Sequence, residues 1–132
     1  MNYKISEDSR ETLGTIEHIY GLSETIVNAA KNEPSIRPVD RSAMTFEDFR
    51  KGTLENLKHA SELFLGRSAE EVSELKVIFQ SPENRSEFPY WHMLNGPISD
   101  AIYHTGQVVS YRRASGNPIN PNVSVFMGKN RD

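Results

Sequence analysis

No cysteine occurs anywhere in the 132 residues. Disulfides, thiolate metal centres and cysteine nucleophiles are therefore excluded, which leaves histidine and carboxylate chemistry. Positive charge is not in excess either. The formal net charge is −3 and the pI is near 5.8, so the basic face that a nucleic-acid binder needs is missing. Apolar runs stop at a few residues, far short of the roughly 20 that span a bilayer. The opening MNYKISEDSRETLG lacks the basic region and apolar stretch of a secretory leader. There is no internal repeat, low-complexity segment, heptad run or phosphate-cradling glycine loop. Together these absences lead us to expect a cytoplasmic protein with neither a nucleic-acid nor a membrane partner.

What is present suits one globular domain over 1–132, with 36% hydrophobic and 25% charged residues around a single core. A first helix is predicted from about 9 to 31, where Leu13, Ile16, Ile19, Tyr20, Ile26, Val27 and Ala30 recur at helical spacing. Its apolar arc covers more than half the helix, so it should be wedged between neighbours. Gly14 and Gly21 lie on the other side, where they lower propensity or let another segment approach. Pro34 and Pro38 make 32–44 a connector. A second helix opens on a capping signal at Thr45 and stops at Gly66. Ser68 caps a short helical turn reaching about 75. The β-prone 76–79 has no strand partner in view and is expected to pack as extended chain rather than sheet. A polar loop over 81–88 then leads into a third helix, from Pro89 to about 115, interrupted at Asn95, Gly96 and Pro97. Beyond that break Ile98, Ala101, Ile102, Thr105, Val108 and Val109 form a core stripe. In the tail the apolar piece at 123–127 should fold back onto the helices.

The run DAIYHTGQ at 100–107 carries the most chemistry. Asp100 and His104 are four apart and stack on one helical face, with Gln107 and Tyr111 continuing the stripe. A carboxylate and an imidazole one turn apart can grip one divalent metal, or they can form an ordinary surface pair. His18 sits at the border of the first helix's apolar arc, as a packing residue or a ligand. His59 faces away from its helix's apolar side and is expected in solvent. The direction of His92, ahead of the proline break, is left open.

The segment from Asn95 to Val109, with Tyr111, Arg112, Arg113 and a Gly116-Asn117-Pro118 exit, resembles the last helix of the DinB/YfiT-like superfamily. The surroundings of His18 resemble the earlier helix that supplies a further histidine in that family. The resemblance implies an all-α, DinB-like bundle of up to four helices, lacking here the family's usual first helix. It also implies a divalent metal, nickel or zinc, held by His18, Asp100 and His104. Asp100 departs from the family pattern, which most often has histidine there, although two histidines and a carboxylate remain a competent set. The implied activity is that of a metal-dependent thiol S-transferase using a low-molecular-weight thiol, or of a hydrolase, acting on a small thiol or electrophilic substrate. Gln107 and Tyr111 would then orient ligands, and Arg112 or Arg113 would hold a carboxylate-bearing thiol. The alternative is a non-catalytic, partner-binding or stress-response module whose polar face is structural. For the missing helix there are three accounts: a three-helix bundle completed by the tail, a truncated product, or a homodimer whose partner covers the wide apolar arc of the first helix.

Overall fold

In the computed structural model, which describes residues 2–4, 7 and 10–131, helix α1 spans Thr12–Ala30. Ser9, near which the sequence pattern starts this helix, lies outside the described residues. The backbone N–H of Thr12, one of the free donors of the first turn, and its hydroxyl both donate to the Tyr3 carbonyl at 3.1 Å. At the other end Asn32 takes φ 57°. Its N–H bonds the Ala29 carbonyl, and the Glu33 N–H reaches that of Asn28. This paired closure is a Schellman stop. The Asn32 side chain then accepts from the Lys76 N–H at 3.1 Å, so the residue that ends α1 also anchors the start of a strand.

That strand corrects the all-α expectation. The described residues form four α-helices and five strands in two small sheets, a mixed α/β architecture. Strand β1 is Pro34–Ile36, β2 is Lys76–Gln80 and β3 is Arg85–Pro89. β1 pairs parallel with β2, Pro34 opposite Ile78, and β2 pairs antiparallel with β3, Val77 opposite Phe88. Val77 and Ile78 are adjacent yet both buried, at 0% and 5% exposure. Neighbouring strand residues point to opposite faces, so both faces of β2 are covered. Each such burial stabilises the fold by about 2 kcal/mol. The expected loop thus shrinks to 81–84, and Pro89 closes a strand instead of opening a helix. On the solvent side Lys76 and then Arg85 hydrogen-bond Glu87, holding its carboxyl below the ordinary range.

Helix α2, Phe46–Phe64, and the short α3, Ala69–Ser73, carry the two expected capping boxes, Thr45 with Asp48 and Ser68 with Glu71. The Asp48 carboxyl is held below its usual range, chiefly by the Thr45 hydroxyl and then by the Thr45 backbone N–H. Gly66 follows α2 at φ 84°. The third long helix begins later than expected. A π-helical turn at Leu94–Ile98 leads into α4, Ser99–Ala114. Pro97 has no N–H to give the regular ladder, and the wider turn absorbs that gap.

α1 packs against α2, α4, the π turn and the sheet. The core gathers Ile26, Val27 and Ala29 of α1, Ala60 of α2, Val77 of β2 and Met93. The apolar arc of α1 is therefore largely covered within the chain. Ile102, expected in the core stripe, is 68% exposed. With Leu54 and Leu57 of α2 it edges an open apolar groove. The tail does not fold back on the helices through its apolar piece. Val123–Ser124 and Lys129–Asn130 form a hairpin, β4 and β5, whose tip leaves Phe126 97% exposed.

Candidate metal centre

Leu22 of α1 shares a cavity wall with Pro97 and Asp100, while Ile16 shares one with Val108 and Tyr111. α1 and α4 therefore run antiparallel, and the middle of α1 faces the first turns of α4. His18 comes from α1, and Asp100 and His104 from α4. His18 Nε2 lies 3.0 Å from Asp100 Oδ2, and His104 Nε2 lies 3.3 Å from Asp100 Oδ1. The two imidazoles meet edge to face, with ring centroids 4.7 Å apart. One donor atom from each of the three residues lies within 4.8 Å of the other two, so the group could hold a metal ion. The side chains are 28%, 42% and 15% exposed in the order His18, Asp100, His104.

The contacts behind His104 decide what its ring can do. Its Nδ1 lies 2.6 Å from Gln107 Oε1, and Gln107 Nε2 donates to the Tyr103 hydroxyl at 3.1 Å. With the amide oxygen facing the ring, Nδ1 carries the proton and a neutral His104 presents its Nε2 lone pair to Asp100. A lone pair and a carboxylate oxygen at 3.3 Å repel unless a cation or a proton sits between them. The same orientation, with the outer ring nitrogen held by a neighbouring acceptor, is how metal-binding histidines are fixed in the ligating tautomer. The donor set therefore fits a divalent ion with two nitrogens and one or two carboxylate oxygens, leaving coordination positions for a further ligand.

Three of the other sequence candidates, Tyr111, Arg112 and Arg113, stand elsewhere. Tyr111 is buried beside Tyr3, ring centroids 5.9 Å apart, away from the triad. Arg112 donates to the Asn117 and Pro118 carbonyls and so latches the exit of α4, where Gly116 at φ 77° makes the stop. Arg113 is exposed in the last turn of α4. His59 is exposed, as its position on α2 implied.

Other residues gather here without a sequence signal. His18 and Asp100 open on a cavity of about 540 Å³ that His92, Arg37 and Tyr103 also line. His92 stacks on Phe88, centroids 4.3 Å apart, with its Nε2 at 3.1 Å from where a Cβ on Gly96 would stand. The glycine in the π turn is what lets that ring approach. On the other side of His18 a second cavity, of about 320 Å³, is bordered by Arg10, Glu17, Arg37 and Arg41. Arg41 is paired with Glu24 and lies over the Tyr20 ring. Burial first, and then the Glu24 contact, push the Tyr20 phenol above its ordinary value.

No helix among the described residues is long and apolar enough to cross a membrane. No protein-family model, curated protein or solved structure matches the chain.

Proposed function

We propose that this chain binds one divalent ion, nickel or zinc, through His18, Asp100 and His104, and that it transfers a low-molecular-weight thiol to an electrophilic substrate. The observation that carries the metal reading is the orientation of His104. Its Nδ1 lies 2.6 Å from Gln107 Oε1, so in the neutral ring Nε2 is the acceptor, 3.3 Å from Asp100 Oδ1. The reaction class is taken from the DinB-like character of the run from Asn95 to Pro118. When bound, the ion supplies Lewis acidity that lowers the pKa of a thiol or water at its open positions.

The chain's own residues account for the rest. Gln107 and Tyr103 hold the His104 ring in place, and the half-exposed Asp100 carboxylate spans the two imidazoles. The neighbouring cavity of about 540 Å³ is of a size that admits a small-molecule substrate. In the net reaction the thiol gives its proton to solvent and its sulfur forms a bond to the electrophilic carbon. The leaving group departs with the bonding electron pair. The test is turnover of a glutathione-type thiol with an alkyl halide or epoxide, by nickel- or zinc-loaded chain. His104→Ala should lower the rate above background by more than about a hundredfold. Equal rates in the two proteins would contradict the transferase reading.

One observation favours a second reading. Separations of 3.0 and 3.3 Å also suit charge-assisted hydrogen bonds in a protonated His–Asp–His cluster. The chain would then be a non-catalytic partner-binding module, and it would take up no metal.

A further inference from the structure

We infer that Arg37 is the anion-binding residue of this site and that the small molecule taken there carries a carboxylate. The inference rests on the metal-centre reading for its location, but its own observations are separate. Arg37 borders both cavities that meet at His18. Its backbone is fixed just beyond β1, where its N–H donates to the Gln80 carbonyl at 2.8 Å. Its guanidinium lies over the face of Phe79, 5.5 Å from the ring centroid. That stacking holds the head group against the cavity wall while its N–H edge stays free to donate.

Charge selects Arg37 from the three arginines of this region. Arg41 is already paired with Glu24. Arg10 borders the smaller cavity and is not among the residues lining the larger one, onto which His18 and Asp100 open. Among the described residues Arg37 has no carboxylate within 4.0 Å. In the larger cavity the one other formal charge is Asp100, which the metal reading assigns to the ion. A divalent ion and Arg37 together outweigh that single carboxylate, so the loaded cavity favours an anionic guest. A guanidinium binds a carboxylate through two parallel hydrogen bonds, whereas a neutral hydroxyl takes one weaker bond. A thiol with a carboxylate at its other end satisfies both features of the site.

The experiment is calorimetric titration of the full chain, its metal content measured first, with mercaptopropionate and with its neutral counterpart mercaptopropanol. Wild type should bind the acid roughly tenfold more tightly than the alcohol. Arg37→Gln should remove that preference while keeping the metal content of wild type, and Arg37→Lys should keep part of it. Circular dichroism of each variant checks that the fold is retained. Equal affinities in wild type, no measurable binding of the acid, or a preference that survives Arg37→Gln would each overturn the inference. Failure of the metal reading looks different. A chain that takes up no metal, but still prefers the acid through Arg37, loses the metal centre and keeps the anion site.

Discussion

Gln107 touches no cavity-facing ligand atom, yet it sets the chemistry of His104 by accepting from Nδ1 at 2.6 Å. Replacing it with leucine removes the acceptor at similar volume and frees the ring to change tautomer. Partners of this kind are worth about 10- to 100-fold in metal affinity. Gln107→Leu should therefore weaken metal binding by that factor, measured by competition with a chromophoric chelator, while the far-ultraviolet spectrum stays unchanged. An unaltered affinity would mean that Gln107 does not orient the ligand. At this scale the sequence is partly informative. Asp100, His104 and Gln107 announce themselves by helical spacing within one element, where rise and turn fix the geometry. His18 lies 82 positions from Asp100 and is singled out only by the family resemblance. His92 depends on the π turn, which shifts its direction relative to α4, and Arg37 depends on a strand pairing that joins distant segments. Neither placement is encoded locally.

Among the elements, two glycines in long helices make opposite demands. Gly52 of α2 meets α1 closely: a Cβ there would stand 2.6 Å from Tyr20 Cε2. The Tyr20 ring cannot easily retreat, being packed on Phe49 at 5.6 Å and beneath Arg41 at 5.5 Å. Gly106 of α4 has nothing within 4 Å of its would-be Cβ. Alanine gains roughly 0.5–1 kcal/mol in either helix, but overpacking costs about 1–3 kcal/mol. Gly52→Ala should lose about 1 kcal/mol net, and Gly106→Ala should gain about 0.5–1 kcal/mol, read from urea unfolding midpoints. A Gly52→Ala protein as stable as wild type would show that the two helices are not held as closely as described. The helices themselves are legible because caps and apolar period act within a few residues, as at Thr45 with Asp48 and at Ser68 with Glu71. The strands are not. Val77 and Ile78 are buried on opposite faces, so β2 lacks the alternation that marks a half-exposed strand. Its partner β1 is three residues long and begins with a proline.

For the molecule as a whole, the sheet explains why a bundle of helices alone does not describe the protein. β1 and β2 pack on α1, and β1 leads directly into Arg37, which is how Arg37 comes to line the same cavity as His18 and Asp100. α1 is the common neighbour of α2, α4 and the sheet, so its residues supply both the largest share of the core and one side of the site. The wide apolar arc of the first helix is legible as a sign of burial. What buries it is not, because the sheet forms by pairing segments more than forty positions apart. The account as a whole depends on an ion at the meeting of α1 and α4. The measurement that tests it most directly is elemental analysis of untagged protein purified without chelator, set beside His104→Ala prepared in the same way. We expect about one nickel, zinc or similar divalent ion per chain in wild type and a marked loss in the variant. A wild-type chain that comes without metal and refuses added nickel and zinc would contradict the account and leave His18, Asp100 and His104 as a hydrogen-bonded cluster.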